Sequence, residues 1–295
     1  MTSFSWVNNQ ESPIRLRNFL RQHGISRTLL KQIKFEGGKI VVNDEIQKVN
    51  YMLSDKDVVK ITLPPEPAND VIQVSDKEIT IVYEDEHFLV IDKPPHVACL
   101  PSHLYKNDTI ANRVKGYFIR QGYSNQKIHI VNRLDMDTSG IVIFAKHHFA
   151  HSLLDMQMQH HEISKKYIAI VEGKINHKHV DICLPIGRKE GSFIERSVVN
   201  GGKPSWTEFW VDKSSEDLTL LKIKLHSGRT HQIRVHFKEI NHPLIGDWLY
   251  NPDNKLMDRQ ALHCYEMKFY NPFSQEEVLC QSQIPQDMQQ IIKRF

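Results

Sequence analysis

The chain has 295 residues, 40% of them apolar and 25% charged, with a net charge of +3. That length fits one large domain and a small one. Four scattered cysteines without C-x-x-C spacing argue against a disulfide framework or zinc site, and no apolar leader or membrane-length run is present, so the cytoplasm is the expected compartment. In chain order, Ile14, Leu16, Phe19 and Leu20 predict an amphipathic helix ending at Gly24. Ser26 is placed to cap a second helix carrying Leu29, Leu30 and Ile33, which stops before Gly37-Gly38. Lys39–Val42 and Val58–Ile61 read as strands, with Asn43-Asp44-Glu45 as a turn. Residues 1–63 hold ten basic and six acidic residues, whereas the remainder is close to neutral. Arg15, Arg17, Arg21, Arg27, Lys31 and Lys34 follow one another with no acidic residue between them. Such a face suits phosphate, although charge runs in general are more often only solvated surface.

Pro64, Pro65 and Pro67 define a stiff linker over residues 64–78, since prolines prevent helix and favour extended geometry. Residues 79–83 and 87–91 predict a hairpin. Asp108 is the expected cap of a helix carrying Ile110, Val114 and Phe118, and Phe149, Leu153, Leu154 and Met158 predict another helix. Strands are expected at 167–171, 206–211, 218–225, 262–270 and 278–280, with a helix over 230–240 that carries Arg234. The pattern is a mixed, mainly antiparallel α+β domain over residues 79–295, with flanking helices.

The segment Arg133-Leu134-Asp135-Met136-Asp137-Thr138-Ser139-Gly140 lies between two short β-branched runs, 128–131 and 141–145. Two strands feeding a polar turn give a rigid scaffold with a carboxylate, Asp135, at its tip. A lone R-x-D would ordinarily be a surface pair. This one resembles the central motif of the RluA/RluD family of pseudouridine synthases, H-R-L-D-x-x-T-S-G followed by an apolar run and A-K, with Asn132 in place of the His. Asp92-Lys93-Pro94-Pro95 resembles the family's first motif. Ser164–Gly173 resembles its tyrosine-bearing strand, and Ser227–His236 with His242–Asp247 its third motif. Residues 13–63 resemble the small ribosomal-protein-S-four-type RNA-binding domain, with Asp44 replacing the usual turn Gly.

The resemblance implies an isomerase that breaks the ribose–N1 bond of uridine, turns the base and rejoins it through carbon, without cofactor or metal. It assigns Asp135 as the essential carboxylate, acting either as nucleophile or as base toward a sugar proton. Arg234 is its counter-cation and Tyr167 the residue facing the extruded base; the ordinary alternative for Tyr167 is a packed strand residue. Arg133, Arg229 and His231 are expected to bind RNA at the cleft, and Arg27, Lys31 and Lys34 on the second helix. Ribosomal RNA is the expected partner, transfer RNA the alternative, and a monomer the expected state. A catalytically weak RNA-binding or ribosome-assembly protein is the rival reading, and intact Asp135, Tyr167 and Arg234 argue against it. His226, His231 and His236 recur every five residues, a poor spacing for one metal face, and no H-E-x-x-H or G-x-S-x-G occurs.

Overall fold

A computed structural model describes residues 2–66 and 71–295. The small N-terminal unit places helices Leu16–Gln22 and Arg27–Phe35 on a four-stranded antiparallel sheet. Ser26 accepts a hydrogen bond from Leu29 N (3.1 Å) and so caps the second helix. Asn43 and Asp44 take left-handed backbone at the turn, a conformation Asp tolerates better than most residues. Strand Ser3–Val7 lies outside the 13–63 stretch, yet it forms an edge of this sheet by pairing with Val58–Thr62. It brings Phe4 and Trp6, which pack with Phe149 and Phe273 of the large domain. Gly24 marks the close approach: φ is +81°, and a Cβ there would lie 2.3 Å from Leu153.

Pro67, Ala68, Asn69 and Asp70 of the linker lie outside the described residues. On either side the linker is bound to the large domain. Glu66 is buried, accepts from His148 N and pairs with His129. Asn112 of helix Ile110–Arg120 donates to Gln73 O. Gly116, mid-helix, has Ser75 O where a Cβ would project.

The large domain is built on a ten-stranded sheet that is antiparallel except at one place. Strand Ser139–Ala145 runs parallel to Leu262–Asn271 through Ser139↔His263 and Gly140↔Cys264. On the far side of Leu262–Asn271 lies Ser164–Glu172, then Leu218–Leu225 and Thr207–Ser214. Gly140 has φ +113°, and a Cβ there would meet Cys264 O at 2.2 Å, so only glycine admits the parallel contact. Apolar side chains of these strands and of helices Ile110–Arg120 and His148–Gln159 form the main core. The outer face of Ser164–Glu172 is covered by the C-terminal helix Gln286–Ile292 through Ile168, Ile170, Met288 and Ile291.

Two local expectations are corrected. The helix at Ile110 is capped by Thr109, in a reciprocal capping box with Asn112. Asp108 precedes the cap in left-handed backbone and pairs with Lys77 and Arg113. The predicted strand 128–131 shortens to His129–Ile130 because the Asn132 side chain continues the ladder, accepting from Ile143 N and donating to Ile141 O.

Burial also governs the histidines. It pushes His147 down to about 3 and His263 down to about 4. In the unfolded chain both titrate near 6.5, so between about pH 6.5 and 4.5 the unfolded state binds protons that the folded state refuses. Stability is therefore full above that window and lost as pH falls through it. Urea unfolding at stepped pH should show the decline, and His263→Gln should reduce it by about 2 kcal/mol over those two units.

Candidate active site

Residues 131–138 form a loop whose backbone is held from below. Lys93, fully buried, donates from Nζ to Pro94 O, Val97 O and Met136 O at 2.8–2.9 Å. Arg259, also buried, donates to Asp137 O and makes a bidentate pair with Asp287 of the C-terminal helix. Gln260 reaches Thr138 Oγ1, and Cys99 exchanges hydrogen bonds with the backbone of Leu134. With its carbonyls occupied, the loop turns Asp135 upward; Thr138 N bonds Asp135 O.

Helix Gln232–Glu239 brings Arg234 over this loop. Its guanidinium is 3% exposed and forks onto Asp247 through Nε and Nη2 at 2.7 and 2.8 Å. The remaining nitrogen, Nη1, donates to Asp135 Oδ2 at 3.1 Å across 99 residues of sequence. Asp247, wholly buried, also accepts from Leu249 N and Tyr250 N. The paired carboxylates hold Arg234 above its ordinary range despite burial. Its cationic face lies 5.0 Å from the Tyr250 ring. His231 begins the helix in left-handed backbone; its Nδ1 lies 2.9 Å from Tyr250 Oη and its Nε2 4.0 Å from Asp135. Burial depresses the His231 pKa, which keeps that imidazole neutral at neutral pH.

These groups open on one cleft of about 970 Å³, walled by Asp135, Tyr167, Arg133, Lys165, Arg229 and Arg234 among others. Tyr167 is 6% exposed and sits at a register shift between Ser164–Glu172 and Leu262–Asn271. Burial, then the neighbouring Cys264, raises its phenol well above the usual range, so it is neutral.

A family model described as RNA pseudouridylate synthase matches residues 87–239. An uncharacterized RNA pseudouridine synthase of Bacillus subtilis, YjbO, is 38% identical over 94% of this chain and 98% of its own. This chain belongs to the RNA pseudouridine synthase family. Its members are isomerases that convert uridine to pseudouridine in RNA. The ribosomal large subunit pseudouridine synthase D of Nitrosomonas europaea is 35% identical over 73% of this chain and 64% of its own. Human RNA pseudouridylate synthase domain containing 4 shares the fold, with a TM-score of 0.59 at 19% identity, covering 73% of this chain and 92% of that one.

Set on this synthase fold, Asp135, Tyr167, Arg234, Arg133, Arg229 and His231 converge on the cleft. Arg27, Lys31 and Lys34 do not: they stand exposed on helix Arg27–Phe35 of the small unit. His226, His231 and His236 are not brought together either. His226 bonds Glu208, while His236 is buried between Thr207 and Leu184. Among the described residues the group close enough to share an ion is His179, Asp181 and Glu208, on the strand pair at one sheet edge, and none of the three lines the cleft. Sequence reasoning missed the parts played by Asp247 and Tyr250. Asp247 stood in the quoted His242–Asp247 block, but nothing in that block says that it is the main partner of Arg234.

Removing Asp247 leaves a buried guanidinium with one carboxylate. Asp247→Asn should therefore cost about 3–5 kcal/mol of stability. Asp135 is half-buried and Arg234 keeps Asp247 without it, so Asp135→Asn should cost much less. Urea unfolding of the two variants side by side checks the order.

Proposed function

We propose that this synthase isomerises specific uridines in structured RNA, large-subunit ribosomal RNA foremost, with Asp135 as the carboxylate that engages the nucleotide. The observation that carries this reading is Asp135 on the cleft wall, 3.1 Å from a buried guanidinium and sharing the cleft with Tyr167. The contact with Arg234 fixes the direction of the carboxylate and leaves its other side on the cleft, where an attacking or proton-abstracting group must stand. The reaction breaks the N1–C1′ bond and forms C5–C1′; C5 loses a proton and N1 gains one, so the formula is unchanged and nothing is oxidised. Tyr167 offers a ring that stacks on uracil and a hydroxyl that reaches the carbon proton. The uridine leaves its stack at a cost of a few kcal/mol. Arg133, exposed at the rim, supplies a planar cation to fill the vacated place.

The small N-terminal unit is read as an S-four-like RNA-binding domain. Arg15, Arg17, Arg21, Arg27, Lys31 and Lys34 are exposed there, and among the described residues no ion pair neutralises them. That unpaired basic face, together with the ribosomal relative of Nitrosomonas europaea, favours ribosomal over transfer RNA as substrate.

Release of tritium from C5 of labelled uridine follows the bond change directly. RNA from cells lacking the protein, separated into ribosomal and transfer fractions, serves as substrate. Wild type should release tritium from the large-subunit fraction. Asp135→Asn should lower the rate at least about a thousandfold with RNA affinity little changed. Substantial turnover by this variant would remove Asp135 from the chemistry, and release confined to transfer RNA would reassign the substrate.

Neutralising Arg27, Lys31 and Lys34 together tests the N-terminal face. Binding should weaken and the log–log salt slope should flatten by roughly 0.7–0.9 per lost contact. Turnover at saturating RNA should be unchanged, because these contacts are equal in ground and transition states. An unaltered slope would mark the helix as ordinary solvated surface.

A further inference from the structure

Side chains alternate along strand Ser164–Glu172, so Lys165 shares the cleft face with Tyr167 while Lys166 points to the opposite face. Lys166 is satisfied there by Glu266 at 2.7 Å. Lys165 is 9% exposed, and its Nζ lies against the Ser227–Arg229 turn, 3.4 Å from where a Cβ on Gly228 would sit. Among the described residues, neither a hydrogen-bond acceptor nor a carboxylate partners that ammonium. Lys93 is buried more deeply still, at 0% exposed, but its three protons go to three carbonyls. Burial without a partner depresses the Lys165 pKa and is costly for a cation. Such a group is held ready for an anion that arrives from outside.

We propose that Lys165 is a substrate-binding residue whose ammonium receives an anionic oxygen of the nucleotide in the cleft. The inference rests on the reading that uridine is isomerised there. RNA brings two sources of that chemistry. One is a phosphate beside the target uridine. The other is a uracil oxygen, which gains charge when the N1–C1′ bond breaks and its electron pair stays on the base; that charge is discharged when C5 bonds C1′, after which C5 loses its proton and N1 takes one up.

The test uses the full-length chain as wild type, Lys165→Met, Lys165→Gln and Lys165→Arg. Urea unfolding checks folding; the Met variant removes an unpaired charge and should be no less stable than wild type. Affinity across a salt series and single-turnover tritium release are measured on whichever RNA fraction wild type modifies. If phosphate is the partner, the Met and Gln variants should bind about ten- to a hundredfold more weakly, the scale of one charge-assisted hydrogen bond. Their salt slope should be lower by about 0.7–0.9, with the saturating rate unchanged. A neutral methylphosphonate beside the mapped uridine should then cost wild type a similar factor and the Met variant little. If a uracil oxygen is the partner, affinity and slope should hold while the single-turnover rate falls by about that factor, with partial rescue in Lys165→Arg. Wild-type affinity, slope and rate in both neutral variants would overturn the proposal. Asp135→Asn in the same assay keeps the two readings apart: its full activity would sink the functional assignment, whatever Lys165 does.

Discussion

A guanidinium buried in the wall of the cleft must be neutralised where it lies, and that requirement organises the site. Arg234 meets it with two carboxylates from different parts of the chain, Asp247 by a bidentate contact and Asp135 by a single one. The two contacts differ in kind. Asp247 is fully buried and further fixed by Leu249 N and Tyr250 N, so it orients the cation. Asp135 is half-buried, with one face open to the cleft. The arrangement keeps the inner pair as a structural anchor and leaves the outer carboxylate accessible from the cleft.

A charge held this way is useful only if the loop bearing Asp135 cannot drift. Its backbone carbonyls are taken up by Lys93 and Arg259, two buried cations donating to neutral oxygens. Arg259 also binds Asp287, so the last helix of the chain braces the loop although it contributes nothing to the cleft wall. Asn132 stands where the family pattern has His. Its amide pairs with the backbone of strand Ser139–Ala145 and replaces the ladder that the shortened strand would have made. A side chain that matches a peptide group in size and in donor and acceptor suits that position, which gives the departure from the family pattern a structural role.

The small N-terminal unit is joined to the large domain by packing as well as by chain. Phe4, Trp6 and the helix Leu16–Gln22 meet Phe149, Leu153 and Phe273, so one apolar cluster spans both units. Glu66 adds a buried polar tie through His129 and His148. Helix Arg27–Phe35 keeps its basic residues in solvent. The shared core thus sets where that face stands relative to the sheet.

Much of this was legible in the chain itself. Period-two and period-3.6 apolar patterns placed most of the strands and helices of both units, and Ser26 ahead of the second helix predicted a cap that forms as expected. Short motifs carried Asp135, Tyr167 and Arg234 as a set, because each is embedded in a locally ordered block. Contacts that depend on distant segments were not legible. The cap at Thr109 replaced Asp108 because Asn112 completes a reciprocal pair and Asp108 is drawn to Arg113 and Lys77. Strand Ser3–Val7 gains its place only from its neighbour Val58–Thr62. The partner of Arg234 and the isolation of Lys165 are likewise properties of packing. Sequence determined which side chains are offered and on which face of which element. Tertiary structure decided which charges find a partner, because pairing and desolvation depend on distances across the fold, which one-dimensional spacing does not contain.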